Sequence, residues 1–465
     1  QALMSNTTGT QNTAVGSIAL DANTTGNSNT AIGYGSMSTN TTGLANTAVG
    51  RTSLENSTTA SNNTAVGYAC LAQTTTGANN TAMGYLASNL NTTGANNTSL
   101  GYQSLYNNTT ASDNTSIGYN ALNLNTTASQ NTAVGALALD SNTTGAENTA
   151  VGRNAASANT TGTLNVAMGV DSLSSNTTGD NHVAIGHGAL QDNTTADNNT
   201  AVGFRSLFNN TTGASNTALG YAALLSNTTA GNNTAVGLQT LDACTTGASN
   251  SAVGVNALGA LTTAAACAAL GDAAGSAITT GGDNVCIGYA AGNNIAAGVS
   301  NVVVGTSAVT ANSGHSNTIV IGASSTGKGA NTGFINPNSG GVYQGNNSAD
   351  WSTTSDRRIK KNIEDNNTGL EAINKIQVRN FEYRTEDEIV DFENPKAAVV
   401  NIDGIQLGVI AQEIEEILPD VVKEETTGVK TVNPDNLKWY LINAVKELST
   451  QVDELKQELK TLKGE

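Results

Sequence analysis

"NTAVG" at residues 12–16 returns as "NTAIG" at 29–33, and this recurrence is the strongest indication of the fold in the sequence. The glycine of the motif recurs every seventeen residues from Gly16 to Gly322, which makes eighteen steps and nineteen glycines without an insertion. A second motif, Asn-Thr-Thr followed by Gly or Ala, begins at Asn6 and keeps the same spacing through most of the repeats. A strict period of this length indicates a repeat architecture.

Seventeen residues are too few for a helical repeat and contain no apolar stripe with helical spacing. They suit one coil of a parallel β-solenoid, or β-roll, because Thr and Val favour strands while Gly and Asn tolerate the positive φ values of corners. The spacing is expected to be strict because one inserted residue would move the following side chains to the other face. With coils stacked at the strand spacing, eighteen steps predict a rod of about 86 Å.

Each repeat offers few apolar residues, typically an Ala-Val pair before the glycine and an Ala-Leu pair after it. This is too little to fill a core alone. We therefore expect three chains sharing an axis to bury these columns together, which also covers edges that favour aggregation. The predicted fold is mostly β, a trimeric solenoid rod followed by a small α+β domain.

Composition and charge exclude several classes of function. Only 12% of the 465 residues are charged, and the formal net charge is −17. The acidic balance argues against nucleic acid as a partner, and no apolar run is long enough for membrane insertion. We expect no cofactor and no metal site, since the acidic residues of the repeats are scattered and the cysteines lack ligand spacing. We expect these cysteines to be small buried thiols, and His182 and His187 to lie at the surface.

The residue after the repeat glycine is often aromatic. We expect these rings to stack on one another between coils, and the alternative is a surface ladder that stacks on sugar rings. The aromatic positions are Tyr34, Tyr68, Tyr85, Tyr102, Tyr119, Phe204, Tyr221 and Tyr289.

The chain divides into three predicted segments. Residues 1–322 are the repeats, which begin in mid-repeat and are therefore expected to lack N-terminal sequence. Residues 323–354 form a connector rich in Gly, Asn and Ser, and residues 355–465 have the composition of an ordinary domain. Within that domain the sequence predicts a helix at 369–376, a strand at 378–384, a strand running into a helix that Pro419 ends at 406–422, and a helix from about 436.

The last helix carries a heptad pattern of a coiled coil. Apolar residues occupy positions a and d, with Val445, Val452 and Leu459 at a and Leu441, Leu448, Leu455 and Leu462 at d. Val at a with Leu at d is nearer to the dimer preference than to the trimer preference, so the coiled coil alone does not establish a trimer.

Two resemblances to known families follow from these motifs. The repeats resemble the head repeats of trimeric autotransporter adhesins, most closely at "NHVAIG" (181–186). "SDRRIKKNIED" (355–365), "QLGVIAQEIEEILPDVV" (406–422) and "NLKWYLINAVKEL" (436–448) together resemble the endosialidase-type intramolecular chaperone domain of bacteriophage tail fibres, tailspikes and neck appendages. The resemblance implies a domain that trimerises, guides folding of the upstream β-structure, and then cuts the chain at its own N-terminus with a Ser-Lys pair.

The family pattern Ser-Asp-x-Arg-x-Lys-x-Asn-Ile is matched by Ser355, Asp356, Arg358, Lys360, Asn362 and Ile363. The resemblance implies that Ser355 is the nucleophile, Lys360 the base and Thr354–Ser355 the bond that is cut, while the adjacent Ser355–Asp356 bond stays an alternative. Neighbouring cations disfavour a further positive charge, which would favour the neutral amine of Lys360. A separation of five residues does not place the pair on one helical face, so a bent loop or a neighbouring chain is required.

The sequence thus predicts a homotrimeric structural fibre of a phage tail or similar receptor-binding appendage, located in the virion. Its partners would be further copies of itself and a host cell-surface glycan or protein. Enzymatic activity would be limited to self-cleavage in the C-terminal domain. A bacterial surface trimeric adhesin, located outside the cell, is the alternative, and a free-standing hydrolase ranks third.

Overall fold

The computed structural model describes residues 1–336, 342–344, 357–385, 388, 403–424 and 429–464. The chain forms two compact units, Gln1–Thr354 and Ser355–Glu465. Each is described separately below.

The first unit is a β-solenoid in which each coil contributes one three-residue strand. The strands are β1 Thr13–Val15, β2 Thr30–Ile32, β3 Thr47–Val49, β4 Thr64–Val66, β5 Thr81–Met83, β6 Thr98–Leu100, β7 Thr115–Ile117, β8 Thr132–Val134, β9 Thr149–Val151, β10 Val166–Met168, β11 Val183–Ile185, β12 Thr200–Val202, β13 Thr217–Leu219, β14 Thr234–Val236, β15 Ser251–Val253, β16 Ala268–Leu270, β17 Val285–Ile287, β18 Val302–Val304, β19 Ile319–Ile321 and β20 Gly333–Ile335.

Neighbouring strands pair in parallel with a register of seventeen residues, as Thr13 with Thr30 shows at the first step. The predicted solenoid and its period are therefore confirmed. The last coil is shorter, because Ile319 pairs with Gly333. A final strand, β21 Val342–Gln344, runs antiparallel to β20.

The middle residue of each strand points into the coil, and the residues on either side point outward. Ala31 and Ala48 are fully buried, whereas Ile32 is exposed. We call the residues immediately before the nineteen repeat glycines, from Val15 to Ile321, the outer aliphatic column. Within one chain this column lies outside the core that the Ala residues fill, because alternation along a strand places the two on opposite faces. Burial of the column between three chains stays a prediction.

Buried asparagines complete the interior that the apolar residues leave unfilled. The amide of Asn125 donates to Oδ1 of Asn108 at 3.1 Å and to the carbonyl of Ala128 at 2.9 Å, and Asn142 donates to Asn125 in turn. A second ladder runs through Asn29 and its equivalents, whose amides also bond across coils. Amides satisfied by the next coil can be buried at little cost, so a single chain fills its own core.

The corners differ from the expectation that Gly and Asn would supply the positive φ values. The repeat glycines do have φ between 127° and 141°, and a Cβ at Gly118 would lie 2.4 Å from the carbonyl oxygen of Gly135. However, Leu20 and Leu54, which are fully buried, also have φ near 50°. Burial of the leucine side chain offsets a left-handed conformation that is otherwise unfavourable for this residue.

The second unit is a small α+β structure. Its elements are β22 Arg379–Phe381, β23 Gln406–Gly408, β24 Val422–Glu424, β25 Lys430–Val432, α1 Leu370–Lys375, α2 Ala411–Glu415 and α3 Pro434–Lys463. β22 pairs with β23 and β24 with β25, both antiparallel. α1, α3 and β23 follow the sequence-based expectation, and β22 is shorter than predicted. The expectation that Pro419 ends α2 is wrong, because the helix ends at Glu415 and Pro419 begins a 3-10 turn, Pro419–Val421. The β24–β25 hairpin was not predicted.

The core of this unit contains Ile414 and Leu418 from the region of α2, with Val421 and Tyr440. α3 begins after Asn433, whose side chain accepts a hydrogen bond from the backbone of Asp435, and it ends at Gly464 with φ 72°. Both ends thus carry ordinary capping residues.

Candidate functional site

The segment that carries the predicted cleavage motif is described only in part. Thr354, Ser355 and Asp356 lie outside the described residues, so their geometry with Lys360 stays a prediction. Arg357–Ile359 forms one turn of 3-10 helix, and the backbone N–H of Lys360 donates to the carbonyl of Arg357 at 3.3 Å.

The residues after this turn bend the chain. Lys360 and Arg358 are exposed, and Asn362 has a left-handed backbone with φ 52°. A left-handed residue reverses the local chain direction. The described part of the motif is therefore a bent, exposed turn, and the approach of Ser355 to Lys360 stays a prediction.

The chain just beyond the motif is anchored to α3. Oε2 of Glu447 accepts a hydrogen bond from the backbone N–H of Leu370 at 2.8 Å, at the N-terminus of α1. The amide of Asn443 donates to the carbonyls of Asn366 at 2.7 Å and Thr368 at 3.2 Å. These bonds join residues about eighty positions apart, so the chain that leads away from Lys360 is held against the long helix.

Two further polar contacts fix α2 and α3 in the unit. The hydroxyl of Tyr440 donates to Asp420 at 2.6 Å, and this bond to a carboxylate raises the pKa of Tyr440. The guanidinium of Arg379 donates to both carboxylate oxygens of Glu413, at 3.0 and 3.2 Å. Bidentate pairs of this kind fix orientation as well as distance.

Beyond its anchored first turns, α3 exposes an apolar stripe. All seven predicted a and d residues are exposed, namely Leu441, Val445, Leu448, Val452, Leu455, Leu459 and Leu462. Such a stripe on a thirty-residue helix is typical of a coiled-coil seam without its partner helices.

Six of the eight aromatic residues after the repeat glycines form stacked ladders, which confirms the expected stacking at those positions. Tyr68, Tyr85, Tyr102 and Tyr119 stack with ring centroids 5.2–5.4 Å apart and planes within 13° of parallel. We call the positions immediately after the nineteen repeat glycines, whatever residue occupies them, the aromatic column. Inside a ladder both ring faces are covered by neighbouring rings, so only ring edges are left for a ligand.

His182 is fully buried, and the expectation of a surface histidine is wrong. It occupies a position of the second asparagine ladder. Its Nδ1 accepts from the backbone N–H of Asn199 at 3.2 Å, as Oδ1 of asparagine does elsewhere, and the ring also hydrogen-bonds the backbone of Ala196. The neutral imidazole thus replaces an amide. His187 is exposed and stacks on Phe204.

Burial lowers the pKa of His182, although Asp180 and Asp197 oppose the shift. Because the folded pKa is below the unfolded value of about 6.5, the unfolded chain binds the proton more readily. Stability is then complete above about pH 6.5 and falls as the pH drops below that value. We expect wild-type protein to lose about 2 °C or more in melting temperature between pH 7 and 5 relative to His182→Asn.

Circular dichroism at several pH values measures this effect. Asparagine is the residue found at most other coils of the ladder, so the variant should fold normally. Parallel pH profiles of wild type and His182→Asn would contradict a role for His182 protonation. His187→Asn, at the exposed histidine, is the matched control and should leave the profile unchanged.

Few other described residues are suited to catalysis or metal binding. The four cysteines, Cys70, Cys244, Cys267 and Cys286, are buried and unpaired, as expected. Burial raises the pKa of Cys244 to about 11 and that of Cys286 to about 12, which keeps both thiols protonated and unreactive. Among the described residues no cluster of His, Cys, Asp and Glu is suited to a metal ion. No described helix is long and apolar enough to cross a membrane.

Comparison with known proteins gives two similarities. Residues 355–423 match the model of the family described as chaperone of endosialidase. The chain is also 31% identical over 120 residues to Myelin gene regulatory factor-like A of Dictyostelium discoideum, an alignment that covers 23% of this chain and 12% of that protein. The chain thus spans only a small fraction of the length of this curated relative. No solved structure matches.

The family match bears on the second unit and includes every residue of the predicted cleavage motif except Thr354. Two features were missed by sequence reasoning. The contacts of Glu447 and Asn443 have no sequence signal, because they join distant segments. The outward position of the outer aliphatic column could have been found from strand alternation around the buried alanine.

Proposed function

We propose that this chain is a structural fibre of a phage tail or similar receptor-binding appendage, assembled as a trimer by a C-terminal chaperone that then releases itself. The observation that carries the proposal is the chaperone-of-endosialidase match at residues 355–423, directly behind a β-solenoid of nineteen regular coils. A folding domain placed behind a repetitive rod suits a rod that needs help to align its chains.

The outer aliphatic column supports assembly of the rod. All nineteen of its residues are Val, Ile, Leu or Met, and ten of them are between 37% and 57% exposed. The residues two positions earlier, from Thr13 to Ile319, are all uncharged as well. Together these positions expose on the order of 1,000 Å² of apolar surface, more than a monomer usually leaves in one patch and comparable to one side of a specific interface.

Three copies in parallel would bring like columns together along the axis of the rod. The seam of α3 would do the same in the second unit, where its apolar residues pack against those of the other copies. The two surfaces lie on different units, and each supports self-association independently. Their shared chemistry, an uncharged apolar stripe along a regular element, favours another copy of this chain as the occupant.

The proposed release is hydrolysis of the Thr354–Ser355 bond. The neutral amine of Lys360 takes the hydroxyl proton of Ser355, and Oγ attacks the carbonyl carbon of Thr354. The C–N bond breaks, the amine of Ser355 takes the proton, and an ester joins the two residues. Water then hydrolyses the ester, which leaves a carboxylate on Thr354 and restores the Ser355 hydroxyl.

The oligomeric state tests the assembly. In the background Ser355→Ala, light scattering should give the mass of three 46.9 kDa chains. Leu448→Glu with Leu455→Glu places two charges in the seam and should prevent assembly during expression. Thr450→Glu with Gln457→Glu adds the same charge on the opposite face of α3 and should leave the trimer intact.

A monomeric Ser355→Ala protein would contradict the proposal. Equal assembly of the two double variants would show that the seam of α3 takes no part in it.

A further inference from the structure

The aromatic column has one position, Ala136, at which a small side chain lies between a ring and an arginine. Tyr119 ends a ladder of four rings, the next position is Ala136, and the position after that is Arg153. Tyr119 is 53% exposed, compared with 43% for Tyr102 inside the ladder, because one of its faces has no ring beside it. A ring face is therefore open to solvent at this point.

The size of the gap follows from the regular rise of the coils. Tyr119 and Arg153 are two coils apart, roughly 10 Å at the spacing of stacked strands, and only the methyl group of Ala136 lies between them. A ring inserted halfway would lie about 5 Å from either wall, which is the stacking distance of the ladder itself. We call this gap the Ala136 slot.

The same column shows that a planar group other than an aromatic ring fits between two rings. Arg51 lies between Tyr34 and Tyr68, with its guanidinium carbon 5.8 Å from one ring centroid and 5.9 Å from the other. The rod thus tolerates a non-aromatic group between two rings one coil away on each side. At Ala136 the chain supplies no such group of its own.

The walls of the slot offer both apolar and polar contacts. Tyr119 presents a ring face, and Leu137 adds a half-buried apolar side chain next to Ala136. On the far side, Nη2 of Arg153 pairs with Asp171 at 3.2 Å, while the side chain of Arg153 is still 58% exposed. Asp171 lies on the coil beyond Arg153, and a guanidinium has five N–H donors, so those outside this pair can donate to hydroxyl oxygens.

An apolar face opposite a fixed set of donors suits a ring that has C–H bonds on its face and hydroxyls at its edge. We propose that the Ala136 slot binds one neutral pyranose ring of a host cell-surface glycan, stacked on Tyr119 with its hydroxyls bound by Arg153. This inference rests on the proposed receptor-binding role and names the site and the ligand class. Stacking along the whole ladder is excluded because the inner ring faces are covered.

Two other ends of the aromatic column, at Tyr221 and Tyr289, lack one wall or the other. Tyr221 is followed by Leu238, whose bulk stands where Ala136 leaves a gap. Tyr289 has Asp272 before it and Thr306 after it, so an apolar floor and an arginine wall are both missing. The slot at Ala136 therefore combines features that these two positions do not.

Saturation-transfer NMR on the full chain tests the slot, with methyl β-galactopyranoside and methyl β-glucopyranoside as probes. Wild-type protein should give a saturable signal from at least one probe, strongest for the protons on the ring face. Tyr119→Ala removes one wall and Ala136→Tyr fills the gap, and each should reduce the signal at least tenfold. Ala136→Tyr only continues a ladder that the chain already builds, so it should fold.

Thr306→Tyr is the matched control, because it adds the same exposed ring to the same column and leaves the slot open. Its signal should stay within twofold of wild type. Absent or unsaturable transfer in wild type, or an undiminished signal in Ala136→Tyr, would overturn the inference.

Failure of the slot and failure of the proposed function can be told apart. No binding by a trimer that assembles and cleaves would overturn the slot alone. Saturable binding by a chain that stays monomeric and uncut would overturn the proposed function and leave the slot.

Discussion

Inserting one alanine after Gly169 is expected to abolish assembly of the rod. The turn that follows this glycine cannot accommodate an extra residue, because its alternate residues form backbone hydrogen bonds with the coil before and the coil after. The N–H of Asp171 donates to Arg153, that of Leu173 to Ala189 and that of Ser175 to Gln191. An extra residue moves the buried Leu173 out of its column and leaves its polar backbone groups unpaired.

The expected cost is large, at least about 3 kcal/mol, since it combines a core cavity with lost hydrogen bonds. Val170→Ser is the control at the same place, because it changes polarity without changing register. Light scattering and thermal melting should show an assembled, stable Val170→Ser protein and an unassembled insertion variant. Equal tolerance of the two changes would contradict a stack that depends on register.

Ser355→Ala and Lys360→Ala are each expected to give an uncut but folded trimer. Removing the hydroxyl leaves no nucleophile, and removing the amine leaves no base. The core of the second unit, which contains Ile414, Leu418, Val421 and Tyr440, keeps its residues in both variants. Cleavage should fall below detection in both. A denaturing gel of freshly expressed protein shows the outcome directly.

Two further variants test whether Lys360 acts as a proton acceptor or only through its positive charge. Lys360→Arg keeps the positive charge but cannot lose its proton, so it should also stay uncut. Lys361→Ala removes one of the cations expected to favour the neutral amine of Lys360 but leaves the Ser-Lys pair intact, so it should be cut more slowly than wild type. Cleavage of Lys360→Arg at the wild-type level would exclude Lys360 as the base.

Release of the chaperone domain would help to keep the assembled rod from unfolding. A rod that pairs several chains along its length has many contacts between distant residues and is expected to fold slowly, so an aligning domain helps at the start. Removing that domain afterwards leaves the rod without its template. The assembled state is then held by a kinetic barrier to unfolding, in addition to its equilibrium stability.

The register of the solenoid could be predicted from the sequence because it depends on spacing alone. A glycine at every seventeenth position fixes which residues pair, and the strands follow that lattice from Thr13 to Ile321. The long helix of the second unit was equally accessible, since its apolar residues follow a heptad. The end of α2 was not, because Pro419 begins a 3-10 turn instead of closing the helix.

The interior of the coil was harder to predict, because hydrophobicity is a poor guide in a narrow solenoid. Asparagine is buried there and valine is outside, since stacked amides satisfy one another and strand alternation decides direction. His182 was misplaced for the same reason. Only its place on the asparagine lattice, 34 residues after Asn148, shows that it is inside.

The candidate cleavage site could be predicted only from the family resemblance. Spacing alone gave a cluster of charge at residues 357–361, and the structure adds a bent turn whose downstream chain is tied to Asn443 and Glu447. Ser355 lies outside the described residues. The pairing of Ser355 with Lys360 is therefore still a matter for experiment.

The intact mass of freshly expressed wild-type protein tests the central claim most directly. The account predicts an assembled rod whose chains end at Thr354, together with a separate fragment of 111 residues that begins at Ser355. A fragment that begins at Asp356 would place the cut at the neighbouring bond. A folded trimer in which every chain keeps all 465 residues would contradict self-release.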